Sequence, residues 1–452
     1  MTDFVDLFSE KIEQNRSIVE KDLNQEIDLE LIEKVQKEFD QVFSGKDSEE
    51  RQDFRVLATD AGRNDIELKN NTRLYILQAA TVDSAGDTSR AMDVGTLRSY
   101  SQQDYEKFMQ RGSEIQEIES ILESLEKKPA EEETFVLIDG TLLTRLLVVP
   151  EPLNLSEGRK KRLELIDKFG ELLEKAEENE NIILAGISKD SNSSILYRKL
   201  LGDLIEEEIR KLDVENSDQV DRDDRNFLLE NYEKIRYRPE EIRQNLENME
   251  NSDVDGEQVE KVTRLVEQYR TRFSDTELIE EMTSEKGFTQ PLRIGKIKPD
   301  FFSAMENFRG QEDYLEKNFP EVFREKGKEF LEKYSKAMDK LVDAPGVVSL
   351  YWKPSENDSP LRIDLLNHDM DGTRLMNCEN QEFVEPTQKV DDILELLETG
   401  YAGEEMHNVW ISQADNSASL KNRDVENIYK PVLSKNLGIN LRNYMRRRDK
   451  RV

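Results

Sequence analysis

Cysteine and histidine are almost missing from this chain of 452 residues: Cys378 is the single thiol, and His368 and His407 are the two imidazoles. One cysteine excludes an internal disulfide and any multi-cysteine zinc site, which fits a reducing compartment. Two histidines exclude multi-histidine metal centres, so a metal would be held mainly by oxygen ligands, a donor set that suits Mg²⁺ or Mn²⁺. No run approaches the roughly 18 apolar residues of a membrane span. The amino-terminal stretch, with Asp3, Asp6, Glu10 and Glu13, lacks the basic start and apolar centre of a signal peptide. The expectation is a cytoplasmic protein with no membrane association.

Positive charge is also short: 65 Lys and Arg stand against 98 Asp and Glu, a formal net charge of −33. Taken alone, that argues against a nucleic-acid partner, because phosphate binding normally shows as a basic excess. Net charge does not settle the matter. An enzyme acting on phosphodiesters needs only a locally positive path plus metal ions at its site, while acidic surface elsewhere keeps it soluble. Hydrophobic residues, at 36%, suffice to build real cores in a chain long enough for two or three domains.

Apolar periodicity divides the chain. Residues 1–50 read as helical, with Phe4, Leu7, Phe8 and Ile12, then Leu29, Ile32, Val35 and Phe39 at helical spacing. FRVLATDAG and TRLYILQAATV follow as two β-rich runs joined by a polar loop around Asn64 to Asn71. A helix is expected from about Gln102 to Lys128, closed by Pro129. TFVLIDGTLL and NIILAGISK read as buried strands on either side of a helix over roughly Ser156 to Glu178, which implies an α/β sheet with crossover connections. Residues 197–290 form a charged helical insertion. Sheet signals return at LRIGKI, GVVSLYWK and LRIDLL within residues 291–440, and residues 441–452 are a basic tail. The expected architecture is an N-terminal helical segment, a mixed-sheet core split into 51–196 and 291–440, and the insertion between its halves.

Hydrolysis of a phosphodiester by two metal ions needs carboxylates from several segments, held rigidly a few Å apart. Asp60 follows Val56, Leu57, Ala58 and Thr59 and precedes Ala61-Gly62, so it is expected at a strand end beside a small turn. Asp139 repeats the arrangement after Val136, Leu137 and Ile138, with Gly140 beyond. Each is also the pattern of an ordinary turn aspartate. A third acid is expected from the helix between them. At about 100° per residue, Glu114 and Glu119 flank the stripe of Ile115, Ile118, Leu122 and Leu125, whereas Glu117 and Glu123 point away.

These residues are where the chain resembles a known family. RVLATDAGRN followed by TRLYILQAATV is similar to the first motif of the NurA family of DNA-end-processing nucleases, a strand ending in Asp-Gly-Ser or a variant of it. VLIDGTLL resembles the family's second Asp-Gly-Ser-Leu strand, with Thr141 in place of serine. AGISKDSNSSIL, FSDTELIEEM and LRIDLL resemble further segments in the same order, so the likeness covers about residues 50 to 425. It implies an RNase H-like core with extra helices, a homodimer, and Mn²⁺- or Mg²⁺-dependent cleavage of single- and double-stranded DNA. A HerA-type hexameric translocase as partner in double-strand-break repair is implied as well. Asp60, Asp139 and Glu119 would be the metal ligands by carry-over, with Glu114 in reserve. The family's C-terminal Tyr-Pro segment and Ala-His pair correspond to GYAGEEMHNVWISQADNSASL. Tyr401 fits the first element without its prolines, and either His407 or Asp415 stands for the histidine. An aspartate there would not replace imidazole as a proton carrier near neutral pH.

Lys189, after the NIILAGIS strand, is placed to meet a phosphate or to end in solvent. The tail with Arg442, Arg446, Arg447, Arg448, Lys450 and Arg451 is the densest basic cluster and a candidate DNA grip. Arg159 to Arg162 begin a helix and serve solubility as readily as binding; Trp352 and Trp410 are better explained as core than as base-stacking platforms. The reading is a metal-dependent deoxyribonuclease with Asp60, Glu119, Asp139, Tyr401 and His407 at its site and Lys189 and Arg446 to Arg448 on DNA. Two others stand against it: a repair adaptor that binds DNA and the translocase without cleaving, and a purely helical scaffold.

Overall fold

A computed structural model describes residues 4–17, 29–45, 54–69, 72–98, 101–143, 145, 156–189, 191–212, 219–251, 254–270, 273–295, 343–367, 372–378, 381–404, 406–441 and 444, with single residues between 316 and 340. It divides into two compact units. One comprises residues 1–42 with 193–278, the other 43–192 with 279–452.

The chain begins with helices α1 (Phe4–Gln14) and α2 (Leu29–Val42). Strands β1 (Phe43–Ser44), β2 (Arg55–Glu67), β3 (Thr72–Asp83) and β4 (Thr88–Arg98) precede α3 (Gln102–Lys127). Then come β5 (Thr134–Asp139), α4 (Ser156–Glu178) and β6 (Ile182–Ser188). Helices α5 (Ile195–Lys211), α6 (Gln219–Asn231), α7 (Pro239–Glu250), α8 (Gly256–Arg270) and α9 (Asp275–Met282) follow. The rest comprises β7 (Gly287–Thr289), β8 (Leu292–Arg293), β9 (Val347–Lys353), β10 (Leu361–Leu366), β11 (Glu382–Phe383), α10 (Gln388–Gly400), α11 (Val409–Ala418) and α12 (Lys430–Leu437).

The unit of 1–42 and 193–278 is helical. α2 packs on α5, and α5 on α8, through buried residues such as Leu200, Leu201 and Ile205 of α5 and Val259, Val262 and Val266 of α8. α1 buries none of its residues. Asp275, from the FSDTELIEEM segment, is fully buried and works as a remote cap. Its two carboxylate oxygens accept the N–H groups of Ile195 and Tyr197, each at 2.8 Å, which satisfies first-turn donors that α5 cannot satisfy itself.

The other unit is a mixed sheet of 11 strands flanked by helices, in the order β1-β7-β9-β10-β6-β5-β2-β3-β4, with β8 on β9 and β11 on β8. β5 lies parallel to both β2 and β6, and the remaining pairs are antiparallel. The parallel centre reads as near-continuous apolar runs because both faces are covered. α10 and α11 cover one face, where Val56, Ala58, Phe135 and Leu137 join Ile393, Leu397, Ile411 and Ala414. α3 lies on the other: Ser120 Oγ is 2.6 Å from Thr81 Oγ1 and 3.4 Å from Thr59 Oγ1.

Three features differ from the expectation. β2 does not end at Asp60 but runs on to Glu67, with Asp60 opposite Ala80 of β3. The small residues Ala61 and Gly62 make no turn. Gly62 is the place where α11 presses on the strand, and a Cβ there would lie 2.1 Å from Ala418 O. What does end is the parallel partner: pairing with β5 stops at Thr59↔Ile138. β4, the last strand on that side of the sheet, carries no clean apolar alternation: its exposed positions mix Arg90, Thr96 and Arg98 with Met92 and Val94, and Ser89, Ala91, Asp93 and Gly95 on the other side are small or polar. Among the described residues, LRIGKI yields the two-residue strand β8.

Candidate active site

β2 and β5 run side by side in register until β5 stops, so the residue after each last paired position, Asp60 and Asp139, lands on the same face at the same level. Neither side chain is fully exposed. Burial pushes the Asp60 carboxyl up to about 7, and the neighbouring carboxylates of Glu117, Asp139 and Asp415 push the same way against one backbone hydrogen bond from Ala61. Burial also raises Asp139, against the cations of Lys189 and Arg145 and with Asp415. Asp60 on β2 therefore senses carboxylates from α3, β5 and α11 at this point.

Glu117, not Glu119, is the α3 acid whose charge Asp60 senses. A single buried stripe does not describe α3, which is wedged between the sheet and α4 and is buried on more than one side. Its sheet side is polar and small. Ser113, Glu117, Ser120 and Ser124 recur at helical spacing and are all buried, and Gly112 lies so near β3 that a Cβ would meet Leu77 Cδ1 at 2.2 Å. Glu119, a residue before Ser120, is turned toward α4, where Glu164, Lys168 and Lys161 are its charged neighbours. Glu114 is occupied by Arg111, whose guanidinium reaches its carboxylate at 2.7 and 2.9 Å.

Glu117 has a partner that the sequence reading missed. Arg145, buried after β5, closes on the Glu117 carboxylate and donates to Asp139 O at 2.9 Å. Burial would favour loss of its proton, but the carboxylates of Glu117, Glu114 and Asp139 outweigh that and hold the guanidinium charged. Burial pushes the Glu117 carboxyl up while Arg145 opposes it. Lys189, directly after β6, stands with Nζ 3.9 Å from Asp139 Oδ2, partly open to solvent.

The C-terminal candidates separate. Asp415 on α11 is the one brought to Asp60 and Asp139. Tyr401 and His407 instead converge on Asp358: the Tyr401 hydroxyl donates to Asp358 Oδ2 at 3.0 Å, and His407 Nδ1 lies 3.5 Å from the same oxygen. Their place in the fold explains it. α11 starts with Trp410 against Phe54, ring centroids 5.7 Å apart, just ahead of β2. From there to Asp60 the strand rises roughly 20 Å. α11 runs along the strand from that contact and presses Ala418 on Gly62 at its far end, so its later residue Asp415 reaches the site while His407, ahead of its first turn, stays behind. Trp352 is buried in the sheet core beside Tyr401. His368 and the basic residues Arg442, Arg446, Arg447, Arg448, Lys450 and Arg451 lie outside the described residues.

Oxygen donors alone make up this group, which is the set that Mn²⁺ or Mg²⁺ takes. Asp60, pushed up first by burial and then by the carboxylates around it, marks a penalty on negative charge that a divalent cation would offset. Among the described residues no three His, Cys, Asp or Glu side chains are gathered tightly enough to cage an ion. The carboxylates of Glu117 and Asp139 are turned to Arg145 and Lys189.

Comparison with known proteins decides the family. The NurA domain model matches residues 12–372, most of the chain. The chain belongs to the NurA family. The crystal structure of the NurA nuclease from Sulfolobus solfataricus superposes with a TM-score of 0.51 at 13% identity, over 96% of this chain and 97% of that one. This likeness shows a shared mixed α/β fold. A crystal structure of NurA bound to dAMP and manganese also aligns, with a TM-score of 0.44 and 15% identity, over 97% of this chain and 98% of that one. No curated protein sequence matches. Among the described residues, no helix is long and apolar enough to cross a membrane.

Proposed function

We propose that this NurA-family chain is a divalent-metal-dependent deoxyribonuclease with an RNase H-like core, hydrolysing phosphodiester bonds at DNA ends. The observation that carries the reading is the convergence of Asp60, Asp139, Glu117 and Asp415, four acids from separate elements, at the point where the parallel strand β5 stops beside β2. The strand order β4-β3-β2-β5-β6, an antiparallel meander continued by two parallel strands, supports the RNase H-like class.

In this reading Asp60 and Asp139 hold Mn²⁺ or Mg²⁺ with help from Asp415 and Glu117, in place of Glu119. The bound metal would supply Lewis-acid charge and a more acidic water. The chain's own groups do the rest. Asp60, its carboxyl pushed up to about 7 chiefly by burial, would have to be deprotonated to serve as a ligand. Arg145 holds Glu117 in place and opposes the burial that pushes its carboxyl up. Lys189 offers its ammonium at the rim to a non-bridging phosphate oxygen, and Arg446, Arg447 and Arg448 grip the DNA backbone. A homodimer in the cytoplasm, supplied with DNA by a HerA-type translocase, is the setting that family membership supports.

The presence of Asp415 beside Asp60 and Asp139 favours cleavage over the adaptor reading, which rested on the altered C-terminal motif. The test is a Mn²⁺ titration with end-labelled single- and double-stranded DNA. Cleavage that appears with Mn²⁺ and disappears with EDTA is expected. Tight DNA binding by the folded protein with no cleavage at saturating Mn²⁺ would establish the adaptor instead.

A further inference from the structure

The chain leaves Asp139 through a tight return. Gly140 adopts φ +97°, and its N–H donates to Ile187 O at 2.7 Å. The return then lies on Gly186 of β6 so closely that a Cβ there would stand 2.7 Å from both Gly140 O and Leu142 N. A helical turn begins at Leu142. The N–H of Leu143 is thus one of the first-turn donors that a helix leaves unsatisfied. It donates to Asp364 Oδ2 at 3.1 Å.

Asp364 sits on β10 directly across from Gly186. It is fully buried, and its other oxygen accepts from Ser349 Oγ and from Arg362 Nε, the latter at 2.9 Å. Arg362 also donates to Ser349 Oγ at 3.0 Å. Arg362 Nη2 also reaches Oδ2 at 3.4 Å. A buried carboxylate held by a charged and a neutral donor is fixed in direction, with its Oδ2 aimed at the return. Two residues beyond Leu143, Arg145 reaches back to Asp139 O and Glu117. The loop that starts at one carboxylate of the site therefore closes on it again.

We propose that Asp364 and Gly186, cross-strand partners on β10 and β6, form the seat of the 140–143 return and through it position Arg145 against Glu117 and Asp139. Gly186 supplies the absence of a side chain that lets the return lie flat on the sheet. Asp364 supplies a fixed acceptor whose negative charge suits the start of a helical turn. Asp364 is a positioning residue, since its contacts are to the return, Ser349 and Arg362. The proposal rests on the catalytic reading of Asp139 and Glu117.

The test uses the full chain with Mn²⁺ and labelled DNA. Asp364→Asn and Gly186→Ala are each made alone and combined with Arg145→Ala; Gly186→Ala displaces the return while leaving the buried Arg362–Asp364 pair intact. Expected are faster amide exchange at Leu143 and a kcat lowered on the order of ten- to a hundredfold at unchanged KM, as a sub-ångström to 1 Å misplacement produces. In the Arg145→Ala background each should cost less than about twofold more, because both act through the same residue. Wild-type kcat despite faster exchange, unchanged exchange, or a full independent loss in the Arg145→Ala background would overturn the positioning role. Cleavage by Asp139→Asn at the wild-type rate would overturn the catalytic reading beneath it, a failure distinguishable because it involves no change at Asp364 or Gly186.

Discussion

The guanidinium of Arg145 is closed on the carboxylate of Glu117, and both groups are buried. Removing one charge of such a pair strands the other in a medium that solvates it poorly. Arg145→Ala should lower unfolding free energy by about 3–5 kcal/mol, measured by urea denaturation. The double change Arg145→Met with Glu117→Gln should recover most of that loss and still fail to cleave DNA.

Glu117 and Glu119 differ by two positions on α3 and face different neighbours. Glu117→Gln should reduce Mn²⁺-dependent cleavage by at least about a hundredfold, whereas Glu119→Gln should stay within about twofold of wild type, as expected for a group remote from the reacting atoms. Single-turnover cleavage rates separate the two. Equal losses would contradict the assignment.

Asp60 carries a pH signature. Its carboxyl titrates at about 7 in the fold against 3.8 ordinarily, chiefly because it is buried. Between those values the folded protein keeps a proton that the unfolded chain has released, so metal-free stability falls as pH rises from about 4 to about 7. Asp60→Asn removes that dependence. At pH 8 without metal the variant should be more stable than wild type by about 1 kcal/mol, a figure reduced for partial solvent exposure, in parallel thermal melts.

Metal should reverse the same penalty. At pH 7.5, Mn²⁺ at about 100 times its dissociation constant should stabilise the protein by about 2.7 kcal/mol, seen as a raised Tm that EDTA abolishes. Asp60→Asn should show little of this rise. Apparent Mn²⁺ affinity should increase with pH through about 7, because Asp60 must lose its proton to serve as a ligand.

His407 and Tyr401 share Asp358 rather than the carboxylate group. Tyr401→Phe should cost about 1 kcal/mol of stability, the value of one hydrogen bond, and His407→Ala should leave kcat within about twofold. Asp415→Asn, by contrast, should impair cleavage. Parallel kinetics and melts on the three variants check both halves.

Much of the sheet was legible because its central strands are buried on both faces and so show as apolar runs: FVLID, IILAG and VVSLYW announce themselves. Asp139 was legible for the same reason, as the first polar residue after such a run. The strand end expected at Asp60 was a misreading, since a strand that loses one partner and keeps the other looks in sequence like a strand that ends. Glu117 was missed because a helix packed on two sides has no single apolar stripe. The spacing of Ser113, Glu117, Ser120 and Ser124 was the signal available. Arg145 stood in the apolar stretch TLLTRLLVV, where nothing local marks it as the partner of an acid on the preceding helix. The choice between His407 and Asp415 depended on where α11 begins along β2, a tertiary fact.

The most direct measurement compares wild type, Asp60→Asn and Asp139→Asn for Mn²⁺-dependent cleavage of end-labelled DNA, with circular dichroism and DNA binding as checks on the fold. Both variants should remain folded, bind DNA, and lose cleavage by about a thousandfold or more, in line with loss of a metal-holding group. Wild-type cleavage by either folded variant would contradict a metal site built on these two aspartates.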